Sequence, residues 1–351
     1  MVRSRHIDER MIKMSKSGEA FFWIGGPGEE AFNSCLGLQV KRGKGPEFDY
    51  LHLHYRSLAT MQAMGLEPAA SLRQMLMKRT DRNSMGRNFP GHYAIPEWNV
   101  VPVTSVIEVQ FAMAPGTALM QKRLSQDAIS IVVGGDAGIA EGDFTSCMTW
   151  STRPGLRLPV LMIVTNNGYG ISTPHETQHS EKNIIDRGIP FGIPGEVVDG
   201  NDVVESWHGI QKAMEYCRTE RAPYLLEAQV SRLHGHSSSS GAARVEGEKD
   251  CLEILEKHLM AQGLAAREYI EAIHDSAQQE MQEAARKVLA EPNPTAADVP
   301  THTYAPSPVD AVYPVDFDGL PGKGPKGQRD KGGSHGVPGS SSSPGTSLWG
   351  R

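Results

Sequence analysis

Short apolar runs alternate with longer mixed segments through the middle of the chain. Four runs are rich in β-branched and aliphatic residues and have the length of buried strands; they span 128–133, 159–164, 196–198 and 224–230. The segments between them are long enough for helices. Because strand–helix alternation is typical of layered α/β proteins, the pattern predicts a mainly parallel sheet flanked by helices.

The spacing of apolar residues changes near the C-terminal end. Leu252, Leu255 and Leu259 recur at helical spacing, and Gly263 is suited to end that helix. A second, more polar helix is predicted to follow and to end before Pro292. We expect the two helices to form a hairpin that closes the domain.

The last 33 residues have a different composition, since 20 of them are Gly, Ser or Pro. Such a segment cannot bury enough apolar surface to offset the entropy lost on ordering. The sequence therefore predicts one domain over residues 1–318 and a disordered tail over 319–351.

Composition narrows the class of protein. The net charge is −6 and the pI is near 6.1, so a sequence-independent nucleic-acid binder is not expected. The longest apolar run, 158–164, is far too short to span a membrane, and the N-terminus lacks the apolar core of a secretory signal. The four cysteines form no CxxC pair, and we expect buried thiols in a cytoplasmic protein.

Polar, glycine-containing loops follow the first two predicted strands. The first carries Asp136, and the second carries Asn167. In a parallel sheet such loops leave the same edge, where ligands bind. A carboxylate, an amide oxygen and a backbone carbonyl suit Mg²⁺, and glycines let backbone N–H groups approach a phosphate. The pair of loops indicates a site for Mg²⁺ and a diphosphate.

Other interpretations of these loops stay open on spacing alone. The first loop could be a dinucleotide-binding turn, although it lacks the G-x-G-x-x-G spacing. Asp136 could cap a helix, and Asn166-Asn167-Gly168 could form a simple turn.

Beyond their spacing, the two loops resemble a known motif. They are similar to the thiamine diphosphate motif, which begins Gly-Asp-Gly and ends about 30 residues later in Asn-Asn; here Asp136 and Asn167 are 31 positions apart. The segments EGDF and NNGYGISTP resemble those of the alpha subunit of the decarboxylating component of 2-oxo-acid dehydrogenase complexes. Further similar stretches occur in the same order over roughly residues 10 to 305: 28–30, 54–56, 86–92, 198–203 and 232–237.

The resemblance implies a role for particular residues. Asp136, the side chain of Asn167 and the backbone carbonyl of Tyr169 would hold Mg²⁺. His236 would lie against the diphosphate and the reacting centre as the catalytic residue. The full set of implied cofactor contacts is Tyr55, Arg56, Ser105, Ile107, Gly135, Asp136, Ala137, Gly138, Asn167, Tyr169 and His236.

The resemblance also implies an activity and partners. The chain would carry out thiamine diphosphate- and Mg²⁺-dependent oxidative decarboxylation of a branched-chain 2-oxo acid or pyruvate, with acyl transfer to the lipoyl domain of a dihydrolipoyl acyltransferase. A beta subunit would complete the site in an alpha-2-beta-2 heterotetramer. The alternatives are an acetoin-cleaving relative and a non-catalytic thiamine diphosphate-binding regulatory subunit. A nicotinamide-binding dehydrogenase is not expected, because the G-x-G-x-x-G fingerprint is missing.

Four positions depart from the pattern of the family. Ala137 replaces a glycine, which requires a negative φ there. Thr165 replaces an arginine that many relatives carry, and Glu108 occupies the place of a small residue. Ser240 lies in a serine-rich loop where relatives often have an acid. These departures leave the implied Mg²⁺ ligands in place.

Overall fold

Five parallel strands form the central sheet of the chain, which a computed structural model describes over residues 1–124 and 126–301. They are β1 (Tyr50–His52), β2 (Ser130–Gly135), β5 (Val160–Asn166), β8 (Gly195–Asp199) and β9 (Tyr224–Gln229). Their order across the sheet is β1-β2-β5-β9-β8. Two small antiparallel pairs lie outside the sheet: β3 (Thr152–Arg153) with β4 (Leu156–Arg157), and β6 (Tyr169–Gly170) with β7 (Thr173–Pro174).

Helices cover the sheet and connect its strands. In chain order they are α1 (Val2–Lys16), α2 (Glu30–Gln39), α3 (Leu58–Ala63), α4 (Pro68–Met75), α5 (Val109–Arg123), α6 (Gly142–Ser151), α7 (Val203–Glu220), α8 (Cys251–Ala261) and α9 (Arg267–Leu289). Helix α5 packs on β1 and β2 and against α6, whereas α7 packs on β8 and β9.

The central strands are apolar on both faces because helices cover both. In β2, Ile131 and Val133 belong to one apolar cluster, and Val132 between them belongs to the other. The second cluster also contains Phe111 of α5 and Phe144 of α6. This alternation with period two explains why the strands are continuous apolar runs in the sequence.

The structure confirms the predicted α/β class and parallel sheet. All four predicted strands are present, and the structure adds β1, a three-residue strand at the edge. The two C-terminal helices are also present; α9 packs on α1 and α4. The four cysteines are free and buried. The predicted boundary at residue 319 and the tail lie outside the described residues.

None of the helices in the described part of the chain combines the length and the apolar composition that a membrane span requires.

A buried ionic cluster joins three helices. Arg5 of α1 donates two hydrogen bonds to Glu30 of α2, at 2.6 and 3.0 Å, and two more to Asp250, at 2.8 and 3.0 Å. Asp250 in turn accepts from the N–H of Leu252 and caps α8. Because Glu30 is buried, its charge depends on this arginine.

Replacing Arg5 by alanine should destabilise the fold by about 3–5 kcal/mol, since Glu30 would keep a buried and uncompensated charge. Arg3 offers a matched control, because it pairs with Glu280 while both side chains are about half exposed; Arg3→Ala should cost less than about 1 kcal/mol. Urea unfolding of both variants measures the difference. Equal losses would show that the cluster contributes no more than a surface pair.

Candidate cofactor site

The two polar loops meet at one edge of the sheet because of the pairing between β2 and β5. The register places Gly135 opposite Thr165. Asp136 and Asn167 follow these two residues within one and two positions, so both leave the sheet at the same point. The neighbouring β5–β9 pairing is also parallel and brings the end of β9 to this edge.

The side chain of Asp136 is buried at this point, and one of its carboxylate oxygens lacks a hydrogen-bond partner within the described residues. It is 2% exposed, and its Oδ2 has no hydrogen-bond partner among the described residues. Burial raises the pKa of its carboxyl, against a hydrogen bond from the N–H of Ala137. Such a carboxylate is able to coordinate a cation that compensates its charge.

The second loop offers two further oxygens. The side-chain oxygen of Asn167 accepts a hydrogen bond of 3.2 Å from the N–H of Tyr169 and has a second lone pair. Tyr169 pairs with Pro174, which has no N–H and therefore cannot donate to the carbonyl of Tyr169. Asn166, the neighbouring residue, is fixed instead by a 2.9 Å bond to Glu227.

Arg56 is held in place from both sides. One of its Nη atoms donates to the carbonyl of Gly25, and the other lies 3.0 Å from Nδ1 of His236. Its guanidinium also lies over the ring of Tyr55, at 5.1 Å. A guanidinium held in this way presents a fixed fork of donors, which suits phosphate oxygens.

His236 is neutral at pH 7 for a physical reason. Burial of the ring, and then the charges of Arg56 and Arg232, lower its pKa to about 4. Because Arg56 can only donate, Nδ1 of His236 must be the acceptor, and the proton of the neutral ring lies on Nε2. His236 is therefore a hydrogen-bond donor at Nε2.

Glu108, the residue before α5, places a buried carboxyl against the first loop. It is 4% exposed, and it accepts hydrogen bonds of 3.2 Å from the N–H of Gly135 and from the side chain of Gln110. A Cβ at Gly134 or Gly138 would collide with it, so the glycines make room for this side chain. Burial raises the pKa of Glu108 to about 8, so at pH 7 the carboxyl is mostly protonated.

Ser105 and Ile107 lie in the segment that precedes α5. The hydroxyl of Ser105 is hydrogen-bonded to His92. Ile107 is 61% exposed and its neighbour Val106 66% exposed. Large apolar side chains at the rim of a polar cavity are typical of a surface that another molecule covers.

These groups surround a single cavity of about 440 Å³, a size suited to a cofactor. All eleven residues that the resemblance implies for the cofactor line it. Several other lining residues were not among the implied contacts, including His54, Thr104, Gln110 and Gln178. Thr104 and Gln110 could have been inferred from their place beside Ser105 and Glu108, whereas nothing in the sequence marks Gln178.

The residues present fit a metal–diphosphate group. The unpaired oxygen of Asp136, the oxygens of Asn167 and Tyr169 and the fixed guanidinium of Arg56 offer ligands for a cation beside a donor for phosphate. Ala137 has φ −71°, so the departure from glycine is accommodated without strain.

Comparison with known proteins identifies similar chains. The sequence model of the family described as "Dehydrogenase E1 component" matches residues 1–297. The chain is 29% identical over 313 residues to 2-oxoisovalerate dehydrogenase subunit alpha of Bacillus subtilis (strain 168), which covers 89% of this chain and 93% of the relative.

Mitochondrial relatives match over a shorter stretch. Identity is 29% over 244 residues with 2-oxoisovalerate dehydrogenase subunit alpha 2 of Arabidopsis thaliana, covering 70% of this chain and 50% of the relative. With the corresponding alpha subunit of Homo sapiens it is 30% over 218 residues, covering 60% and 48%. The chain thus spans most of the bacterial relative and about half the length of the mitochondrial ones.

Replacing Asp136 by asparagine should stabilise the protein in the absence of metal, by about 1 kcal/mol, because a buried charge with an unpaired oxygen is removed. Asp143, a partly exposed acid in the first turn of α6, provides the control; Asp143→Asn should not stabilise. Urea unfolding in EDTA measures both. A loss of stability in Asp136→Asn would mean that the carboxylate is already compensated.

His236 should titrate with a pKa of about 4 and carry its proton on Nε2 at pH 7. In Arg56→Met the pKa should rise toward 6.5, though only in part, because burial is the largest cause of its depression. Long-range ¹H–¹⁵N correlation spectra of the imidazole, recorded against pH and assigned with His236→Gln, measure both. A wild-type midpoint near 6.5 would contradict the described geometry.

Proposed function

The chain belongs to the dehydrogenase E1 component family, and on that premise we propose that it is the alpha chain of a 2-oxo-acid dehydrogenase that uses thiamine diphosphate and Mg²⁺. The buried and unpaired oxygen of Asp136 is the observation that carries this proposal. Such a group is costly in an empty site and useful in one that holds a cation.

In the proposed site, Asp136, the side chain of Asn167 and the carbonyl of Tyr169 hold Mg²⁺. Arg56 donates to the diphosphate, with Tyr55 beside it. The loop glycines Gly135 and Gly138, with Ala137 between them, let the backbone approach the phosphates.

The aminopyrimidine half of the cofactor has its own proposed contacts. Ser105 and Ile107 meet it through backbone and apolar surface. His92 holds the hydroxyl of Ser105 and so fixes this segment of the wall.

When bound, thiamine diphosphate supplies the carbanion that adds to the 2-oxo carbonyl and the electron sink for loss of carbon dioxide. His236 holds a proton at Nε2 and is the catalytic donor of this chain. Arg56 keeps the His236 ring in that tautomer through Nδ1 and, by its charge, keeps it neutral.

We propose a branched-chain 2-oxo acid as the substrate, because the relatives described above are named 2-oxoisovalerate dehydrogenase subunits. Pyruvate is the alternative candidate for the substrate. The exposed apolar side chain of Ile171 at the cavity favours an alkyl group over a second charge.

A beta subunit is the proposed partner. Val106, Ile107 and Ile171 are each more than half exposed at or beside the cavity, and covering them would exclude water from the reacting centre. An alpha-2-beta-2 heterotetramer that transfers the acyl group to a lipoyl domain completes the proposal, with residues 1–318 as the catalytic domain.

Co-expression with a beta-type chain of the same organism should give a complex that reduces an artificial electron acceptor with 2-oxoisovalerate, in the presence of thiamine diphosphate and Mg²⁺. Turnover should be lower with pyruvate and 2-oxoglutarate. Asp136→Ala should lower kcat by at least about 100-fold, because the metal ligand is lost. The rates of acceptor reduction with the three acids give both results.

Asp143→Ala is the control for the loss of a nearby acid and should keep the wild-type rate. A folded complex that binds thiamine diphosphate and turns over none of the acids would contradict the enzymatic proposal. It would favour the non-catalytic regulatory subunit instead.

A further inference from the structure

A second cavity adjoins the proposed cofactor cavity. Its volume is about 300 Å³, and it shares Tyr169, Ile171 and His236 with the first. Arg232 and Val245 line the second cavity but not the first. A small molecule in this cavity would therefore be next to the catalytic donor of the proposed function.

Arg232 is a cation with free donors in this cavity. Its Nε and Nη1 are buried and form no hydrogen bond within the described chain. Its guanidinium lies 4.9 Å from the centre of the Tyr169 ring. Stacking on the ring fixes the plane of the guanidinium, and the N–H groups along its edge remain without acceptors. Their geometry suits a planar acceptor with two oxygens, such as a carboxylate.

The charge of Arg232 is not balanced inside the cavity. Of the eight described residues that line it, none is acidic. Burial, and then the charge of Arg56, lowers the pKa of Arg232 below its ordinary value. The cavity thus favours an anion, and binding one would compensate a partly desolvated cation.

The remaining lining indicates which anion fits. Ile171 and Val245 are apolar, and Ser172 and Ser240 are small and neutral. His236 is neutral as well, so Arg232 is the one charged side chain among the eight described residues that line this cavity. One cation beside two aliphatic side chains suits a monoanion with an alkyl group better than a phosphate dianion.

We propose that this cavity is the 2-oxo acid subsite, in which Arg232 binds the substrate carboxylate and Ile171 and Val245 contact its alkyl group. This inference rests on the proposed function and adds the residue that recognises the acid. Arg232 has a specific kinetic consequence here, because it stabilises the carboxylate in the bound substrate but not after carbon dioxide leaves.

Loss of Arg232 should therefore raise KM without lowering kcat. In the complex with the beta chain, Arg232→Gln should raise the KM for 2-oxoisovalerate by about 10- to 100-fold. A merely structural role would lower kcat as well.

Binding to the purified full-length chain tests the subsite without any turnover. Calorimetric titration with sodium 2-oxoisovalerate should show saturable binding that Arg232→Gln weakens by about 10- to 100-fold. Methyl isopropyl ketone, which lacks the carboxylate, should bind wild type and variant equally weakly. Arg153 offers a matched control. It stacks on Trp150 at 4.0 Å, its Nε is also buried and unpaired among the described residues, and it does not line this cavity. Arg153→Gln should therefore bind 2-oxoisovalerate like the wild type.

Several results would overturn the inference. The wild type would show no saturable binding of 2-oxoisovalerate, or Arg232→Gln would bind it as well as the wild type does. Inorganic phosphate would bind more strongly than 2-oxoisovalerate in a manner that depends on Arg232, or Arg232→Gln would lose affinity for thiamine diphosphate and not for the acid. Turnover with an unchanged KM in Arg232→Gln would overturn this inference and leave the proposed function standing. Arg232-dependent binding without any turnover would do the reverse.

Discussion

The backbone hydrogen bonds between β2 and β5 fix the geometry on which the site depends. Their register sets Gly135 beside Thr165, so the first residues beyond the two strands face each other. Because side chains alternate along a strand, a slip of one residue would turn Asp136 away from Asn167 and expose half of the apolar core. The same register that buries Val132 and Met162 therefore brings the two oxygen-bearing side chains together.

Strained backbone and unpaired buried polar atoms both occur at the site. Glu108 and Ile171 both have a φ of 57°, which is unfavourable for residues other than glycine, and both line the cofactor cavity. Asp136 and Arg232 keep buried polar atoms without partners within the described residues. Strain and unsatisfied polarity at one place persist only where the surrounding packing imposes them. The close fit of Glu108 against the loop glycines is an instance of such packing.

The sequence predicted what depends on local pattern. The strands around Val132 and Leu161 could be predicted because buried parallel strands are continuous apolar runs. The candidate site was predicted from motifs that occur in the order of the family. The strand β1 was missed because three residues give no pattern. The sequence also could not predict that Arg232 lacks hydrogen-bond partners. That property depends on which side chains the folded loops bring near Arg232, and not on its neighbours in the sequence.

The departures from the family pattern bear on affinity more than on chemistry. Thr165 is buried, and its hydroxyl lies 3.4 Å from the carbonyl of Gly134, so it joins the ends of the two strands where relatives place a cation. In the proposed site, Arg56 then has more of the diphosphate charge to balance. Glu108 adds little opposing charge, since burial keeps its carboxyl mostly protonated at pH 7. Because the proposed Mg²⁺ ligands are unchanged, these substitutions favour weaker cofactor binding over a lost reaction.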